Sequence, residues 1–328
     1  MTVNASHLEG SGRVLVTGAT GFVGSHLCRA LIQHGWQVVA ATRGGGAAHT
    51  LPGISMARLE MFSEPTEWQA AMRSCRHVVH LAARVHDLRA DAQVQSEYDH
   101  INVDGSRFVA EQALKANVQR LLFLSSIKVN GEGGGRPYES GDPPDPKDAY
   151  GRSKWVAEQS LRDLCARRGM GLVIIRPPLV YGPGVKANFR RLMRLAGLGI
   201  PLPIASIANR RSFIGVSNLV DFMETCLTHS AAATETWLVS DGEDLSTPDL
   251  LNRLSALMGR PLRTFGISPV WLRRLARPLA LSGMLDRLSG TLQVDSSAAR
   301  LKLAWKPPFT VDEELARTVA AYLAERTK

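Results

Sequence analysis

Over its first half, the chain alternates short runs of β-branched and other apolar residues with longer stretches whose apolar positions recur three and four apart. The short runs read as strands at 13–17, 36–41, a weaker 56–60, 77–81, 120–125 and 172–176. Helical stretches lie between them, near 22–34, 65–73, 96–116 and 149–168. Strands alternating with helices require right-handed crossovers, and so a parallel sheet with helices on both faces. The expected class is α/β, doubly wound.

The pattern changes after Pro177-Pro178. Residues 179–215 are rich in Gly, Pro and Arg. A helix–strand unit follows at 217–229 and 236–240, and then helices are expected at 247–258, 268–288 and 311–325. The expected division is a flexible tail at 1–11, a sheet domain at 12–178 and a smaller α/β part at 179–328. The 217–241 unit is a candidate to rejoin the large sheet.

Composition changes this picture little. The 328 residues are 45% hydrophobic and 21% charged, which suits a folded globular chain. No run approaches the roughly 18–20 apolar residues of a membrane span, and the N-terminal residues carry no secretory pattern, so a cytoplasmic location is expected. The stretch 270–285 is apolar between arginines; packing on its own domain is the simpler reading than a membrane surface. Four scattered cysteines (Cys28, Cys75, Cys165, Cys226) show no metal or disulfide spacing, so free thiols and no metal site are expected. The net charge of +9 is spread along the chain, with pairs at Arg167-Arg168, Arg190-Arg191 and Arg210-Arg211. Without a nucleic-acid motif, these arginines suit phosphate-bearing small molecules better than nucleic acid.

The first strand runs into VTGATGFVG at 16–24, with Gly18, Gly21 and Gly24 at a strand-to-helix turn. Glycines there allow a tight turn and close backbone approach to a pyrophosphate. Phe22 and Val23 open the helix, whose N–H groups and dipole favour phosphate. This makes the large unit a Rossmann-type NAD(P)-binding domain, beside a smaller C-terminal α/β substrate-binding domain. The second strand ends Ala41-Thr42-Arg43, without the acidic residue that would hold the adenosine 2′-hydroxyl of NAD. Arg43 can instead receive a 2′-phosphate, or simply face solvent; the balance points to NADP, with NAD left open.

Tyr150 and Lys154 form Y-x-x-x-K at a predicted helix start, four apart and so on one face. A lysine ammonium together with an oxidised nicotinamide favours the phenolate, so the tyrosine can exchange a proton near neutral pH. Ser125 and Ser126 end a strand, where ligands bind in such sheets. Ser126 is placed to donate to a reacting substrate oxygen; Ser125 can equally satisfy strand-end backbone.

These residues resemble the extended short-chain dehydrogenase/reductases, across nearly the whole chain. VTGATGFVG, HLAA (80–83), LSS (124–126), YGRSK (150–154), RPPLVYGPG (176–184) and NRRSFIGVSNLVD (209–221) match that family in order and spacing. The resemblance implies a Ser126–Tyr150–Lys154 triad, a nucleotide-diphosphate sugar as substrate, and a homodimer through the helices at 96–116 and 149–168. It also implies cofactor contacts at Leu81, Ala82, Ala83, Asn102, Ser125 and Pro177, and substrate contacts at Arg84, Asn188 and Arg211. Two subgroups look most similar: UDP-galactose 4-epimerases and the 4-keto reductases typified by UDP-N-acetylquinovosamine dehydrogenase, which serve surface polysaccharides. SSIKVNGE (125–132) and DPPDPKDAYGRSKW (142–155) favour the reductases, and a 4-keto reductase is the expectation, with 4-epimerisation as the alternative. A non-catalytic cofactor sensor would be expected to lose Tyr150 or Lys154, and both are present. Ile127 and Lys128 replace the carboxylate pair a 4,6-dehydratase needs, which argues against dehydration. If the strand continues, Lys128 shares a face with Ser126 and reaches the sugar; otherwise it is a lysine at the cleft edge.

Overall fold

The computed structural model describes residues 12–44, 53–85, 92–267 and 289–327. The expected tail at 1–11 and the expected helix at 268–288, with its apolar 270–285 stretch, lie outside the described residues. A seven-stranded parallel sheet forms the main body. Its strands are β1 Arg13–Thr17, β2 Gln37–Thr42, β3 Ile54–Arg58, β4 Cys75–His80, β5 Arg120–Leu124, β6 Gly171–Arg176 and, later in the chain, β9 Thr236–Leu238. Their order is β3-β2-β1-β4-β5-β6-β9. The order reverses at β1, so a crevice opens at the carboxyl ends of β1 and β4.

Helices cover both faces. α1 Phe22–Gln33 and α7 Val216–Thr228 pack on one, where Val14 and Val16 meet Leu27, Leu31, Leu219 and Phe222. On the other, Leu15 meets the core of α2 Pro65–Ala71, α4 Gly105–Lys115 and α5 Ala149–Arg168, including Trp68, Val109 and Leu161. Both sides of β1 are therefore apolar, which is why the strand reads as an unbroken run rather than an alternation. α3 Ala92–Tyr98 leads through a π-helical turn, Asp99–Asp104, into α4. The single expected helix at 96–116 is thus interrupted, at the turn that carries Asn102.

The stretch 179–215 is more regular than its composition suggests. It holds β7 Leu179–Tyr181, α6 Ala187–Ala196 and β8 Arg211–Gly215. β8 pairs parallel with β7 and antiparallel with β10 Asp244–Leu245. Around this small sheet, α6, α8 Thr247–Leu257 and α10 Val311–Arg326 enclose a second core of Tyr181, Phe189, Leu251 and Leu315. α9 Ser297–Leu303 packs back on the main body, where Ala299 and Leu303 join the α1/α7 core. β9 pairs parallel with β6, so the α7–β9 unit closes the edge of the large sheet. All four cysteines are buried and free. Among the described residues, no helix is long and apolar enough to cross a membrane, and no group of three or more His, Cys, Asp or Glu is arranged to hold a metal.

Candidate active site

The turn after β1 is built for close backbone contact. Gly18 has φ +68°, and a Cβ there would stand 2.8 Å from the Ala82 amide nitrogen. A Cβ on Gly24 would stand 2.2 Å from the Gly18 carbonyl oxygen. Gly21 caps α1 without any side chain on the first-turn amides, and no acidic residue lies in that turn. The amides of Phe22, Val23 and Gly24 thus face the crevice end with their positive dipole uncompensated, which fits a dinucleotide pyrophosphate.

At the end of β2, Arg43 is exposed, and the Arg58 side chain lies against Gly44, its Nε 2.6 Å from where a Cβ would stand. Arg43 thus follows β2 where an acidic residue would hold a 2′-hydroxyl, with Arg58 at the end of the neighbouring β3 and Glu60 4.0 Å from the Arg58 guanidinium.

A continuous hydrogen-bond chain joins this turn to α5. Thr17 Oγ1 accepts from the Leu81 and Ala82 amides at 3.2 Å and bonds His80 Nδ1 at 2.7 Å. His80 Nε2 lies 3.0 Å from Ser106 Oγ, which donates to the Asn102 carbonyl at 2.5 Å. Burial, and then the Lys154 charge, hold the His80 pKa down at about 3. The ring is thus neutral, and the partners assign the proton to Nε2, leaving Nδ1 to accept from Thr17. Asn102, fully buried, accepts from the Arg84 amide at 2.8 Å and donates to the Arg84 carbonyl (3.2 Å) and to Ser153 Oγ (3.0 Å). Ser153 in turn donates to the Tyr150 carbonyl at 2.8 Å. Asn102 therefore organises the Ala83–Arg84 loop and α5 together.

The first turn of α5 is capped by Asp148, which accepts from the Gly151 amide at 2.7 Å. This cap sets Tyr150 and Lys154 on the inner face. The Ser126 hydroxyl hydrogen-bonds the Tyr150 phenol in the sense that favours the phenolate. The phenol pKa is nonetheless raised, by burial first and then by the Asp148 carboxylate. The expected lowering rests on Lys154 acting together with an oxidised nicotinamide, so these groups alone do not test it. The Lys154 ammonium is itself 2% exposed and donates to the Leu124 carbonyl at 2.8 Å, 4.4 Å over the Phe123 ring. Burial pushes its pKa down to about 7, against the raising effect of Glu158. The protein's own groups hold the phenol protonated, so a field favouring the phenolate needs a further positive charge at the site.

Ser125 is placed differently from Ser126. Its hydroxyl donates to Glu158 at 2.5 Å and is thereby turned to that buried carboxylate rather than to Tyr150. Glu158 and Arg176 form a buried pair, side chains 0% and 3% exposed, with contacts of 2.9 and 2.5 Å; Arg176 also donates to Asn130 Oδ1 at 3.0 Å. Pro177, next to Arg176 and buried, accepts from the Ile127 amide at 3.0 Å. Glu158 and Asp148 escaped the sequence reading, although Glu158 stands one helical turn beyond Lys154 on the same face. Thr17 and His80 also escaped it, since only the tertiary fold brings them together.

Beyond Ser126 the strand does not continue. Ile127–Val129 form a 3₁₀ turn whose Lys128 amide donates to Ser126 Oγ at 3.2 Å. The Lys128 ammonium ion-pairs with Glu132 and, at 3.6 Å, with Asp148. It is a cleft-edge lysine that partly screens the carboxylate beside Tyr150. Arg211, half-buried near Glu132 and donating to the Gly290 carbonyl at 2.9 Å, belongs to the same neighbourhood. Arg84 pairs with Glu97 at 2.6 Å on the other wall. Asn188 sits, half-buried, in the first turn of α6.

Comparison with known proteins supports one lineage. The family model "NAD dependent epimerase/dehydratase family" matches residues 14–240. The chain is 41% identical to a UDP-glucose 4-epimerase of Vibrio cholerae over 316 residues, covering 94% of this chain and 95% of the relative. It is 29% identical to N-acetyl-alpha-D-glucosaminyl-diphospho-ditrans,octacis-undecaprenol 4-epimerase of Escherichia coli O157:H7, covering 93% and 94%. Among solved structures, MoeE5 in complex with UDP-glucose and NAD superposes with a TM-score of 0.75 at 25% identity, over 96% of this chain and all of that one. The glycine turn, the Tyr150–Lys154 helix face and these matches agree: the chain belongs to the NAD-dependent epimerase/dehydratase family.

Proposed function

We propose that the protein interconverts epimers at C4 of a UDP-hexose. The observation that carries this reading is the 41% identity to a UDP-glucose 4-epimerase across nearly the whole length of both chains. The expected 4-keto reductase thereby gives way to the alternative, since the E. coli relative is also a 4-epimerase. In this reading the pyrophosphate of NAD or NADP lies on the amides of Phe22, Val23 and Gly24, and the cofactor runs past Leu81–Ala83 towards Lys154. When bound, the nicotinamide supplies reversible hydride exchange with the sugar carbon.

Tyr150 takes the proton of the C4 hydroxyl as that carbon becomes a carbonyl, and returns it when the alcohol re-forms on the other face. Ser126 donates to the same oxygen, stabilising the charge that develops there. Lys154 holds the cofactor ribose and adds its positive charge once a second one at the site helps the phenol ionise. Asn188 and Arg211 hold the diphosphate, with Arg84 at the sugar end and Lys128 at the cleft edge. We also propose a homodimer through α4 and α5, where Val156 is 48% exposed.

Reduction of a 4-keto sugar keeps one specific support: Arg43 directly after β2, with no acidic residue at the end of that strand, suits NADP, the usual reductant for net reduction. One experiment separates the two. Purified protein is given UDP-glucose or UDP-N-acetylglucosamine without added reductant, and separately a UDP-4-keto-6-deoxy sugar with NADPH. Interconversion with galacto-epimers supports epimerisation. Stoichiometric loss of NADPH absorbance without interconversion overturns it in favour of reduction.

A further inference from the structure

α6 reaches beyond the cleft. Its first turn carries Asn188, while Arg190 and Arg194 project from the following turns. With the turn after α8 and the last turns of α10, they enclose a cavity of about 370 Å³ lined by Arg190, Arg194, Arg260, Arg326, Tyr322 and Leu198. None of these residues belongs to the site assigned above.

The charge balance of this cavity is uneven. Among the described residues, the one carboxylate within ion-pair distance of the four arginines is Glu325, 2.7 Å from Arg190. Arg260 donates to the Gly197 carbonyl at 2.8 Å, which fixes its guanidinium without neutralising it. Arg190 and Arg326 both lie against the Tyr322 ring, 5.8 and 5.7 Å from its centroid. Four guanidinium groups against one carboxylate leave three positive charges converging on one concavity. Such convergence raises the energy of the empty arrangement and stores attraction for an anion. Guanidinium forks match phosphate oxygens in pairs, and the volume is at the small end of ligand pockets.

We propose that this cavity is a second phosphate-binding site, taking an anion with one or two phosphate groups. That phosphate can come from a soluble molecule or from a lipid headgroup; Leu198 and Ile200 beside the rim are 51% and 50% exposed, which suits an attached acyl chain. The two sources share one chemistry and differ in the assay.

Calorimetric titration with inorganic pyrophosphate is run on the wild type, on R194Q/R326Q, and on the cleft variant N188A/R211A. Arg194 and Arg326 are exposed, so the first double variant keeps its fold and its turnover, which serve as controls. The expected result is binding weakened at least about tenfold in R194Q/R326Q and retained in N188A/R211A, as loss of two charge-assisted contacts implies. In parallel, phosphatidylglycerol vesicles are sedimented with the same proteins. Vesicle capture of the wild type but not of R194Q/R326Q assigns the phosphate to a headgroup; pyrophosphate binding without vesicle capture assigns it to a soluble anion. Equal pyrophosphate affinity and equal vesicle capture in wild type and R194Q/R326Q overturn the proposal, as does a wild type that binds neither probe.

Discussion

Gly24 and Gly21 offer a paired perturbation of the turn proposed to cradle the cofactor. A methyl on Gly24 would stand 2.2 Å from the Gly18 oxygen and 2.9 Å from the Ala19 Cα. Both are backbone atoms that no rotamer change can clear. Restoring ordinary contact needs the turn to move by about 1 Å. Alanine gains about 1 kcal/mol of helix propensity over glycine, while overpacking costs about 1–3 kcal/mol. G24A should therefore lose no more than about 2 kcal/mol of stability, a drop of several degrees in Tm. Cofactor affinity should suffer more, because amides misplaced by about 1 Å lose on the order of 100-fold in a positioned interaction. At Gly21 a methyl meets only the Gly18 oxygen, at 3.1 Å, and a shift of a few tenths of an ångström relieves it. G21A should lose less than about fivefold, the scale of exchanging glycine for alanine at a helix cap. Fluorescence titration with NADH and thermal melts on the three proteins test this. G24A binding NADH within about threefold of wild type, or G21A losing as much as G24A, refutes the reasoning.

Other changes probe the remaining parts. Tyr150→Phe should lower kcat by about 10²–10⁴-fold while NADH still binds; steady-state rates and titration check both. Arg176→Met leaves the Glu158 carboxylate buried without its partner and should cost about 3–5 kcal/mol, read from urea unfolding midpoints. The folded-state pKa of Lys154 lies below its unfolded value, so the unfolded chain binds more protons between about pH 7 and 10.5. The stability of the wild type relative to Lys154→Met should therefore rise as pH climbs through that window, and denaturation at pH 7 and pH 9 shows whether it does. Arg43→Ala should weaken NADP at least about tenfold and leave NAD unchanged; equal effects on both would remove Arg43 from the 2′-phosphate.

The core strands were legible because they are buried on both faces. Residues 13–17 and 120–125 read as continuous apolar runs, and the structure gives the first those bounds and ends the second one residue earlier, at Leu124. The start of α5 was legible from its polar cap and the Y-x-x-x-K spacing. The π-helical turn at Asn102 was not, because the apolar period runs through it without a break. Nor was the turn at Ile127: a hydroxyl at Ser126 caps the backbone, so Lys128 leaves the strand direction on which its expected position depended. The small sheet was hidden for a different reason. β7 and β10 have only three and two residues, and their pairing depends on contacts far along the chain. Neutralising Arg176 takes Glu158 and Asn130 from other elements, and no local pattern announces that.

The chain of bonds from Thr17 through His80, Ser106, Asn102 and Ser153 to Tyr150 has a consequence for how such proteins diversify. It fixes the spacing between the turn after β1 and Tyr150 within the body of the large sheet, while the residues proposed to touch the sugar sit on separate turns and helix starts. A lineage, or an engineer, can therefore exchange the outer walls for a new sugar and inherit the reacting geometry intact. A single substitution at Ser106, buried between His80 and Asn102, would unsettle both ends at once.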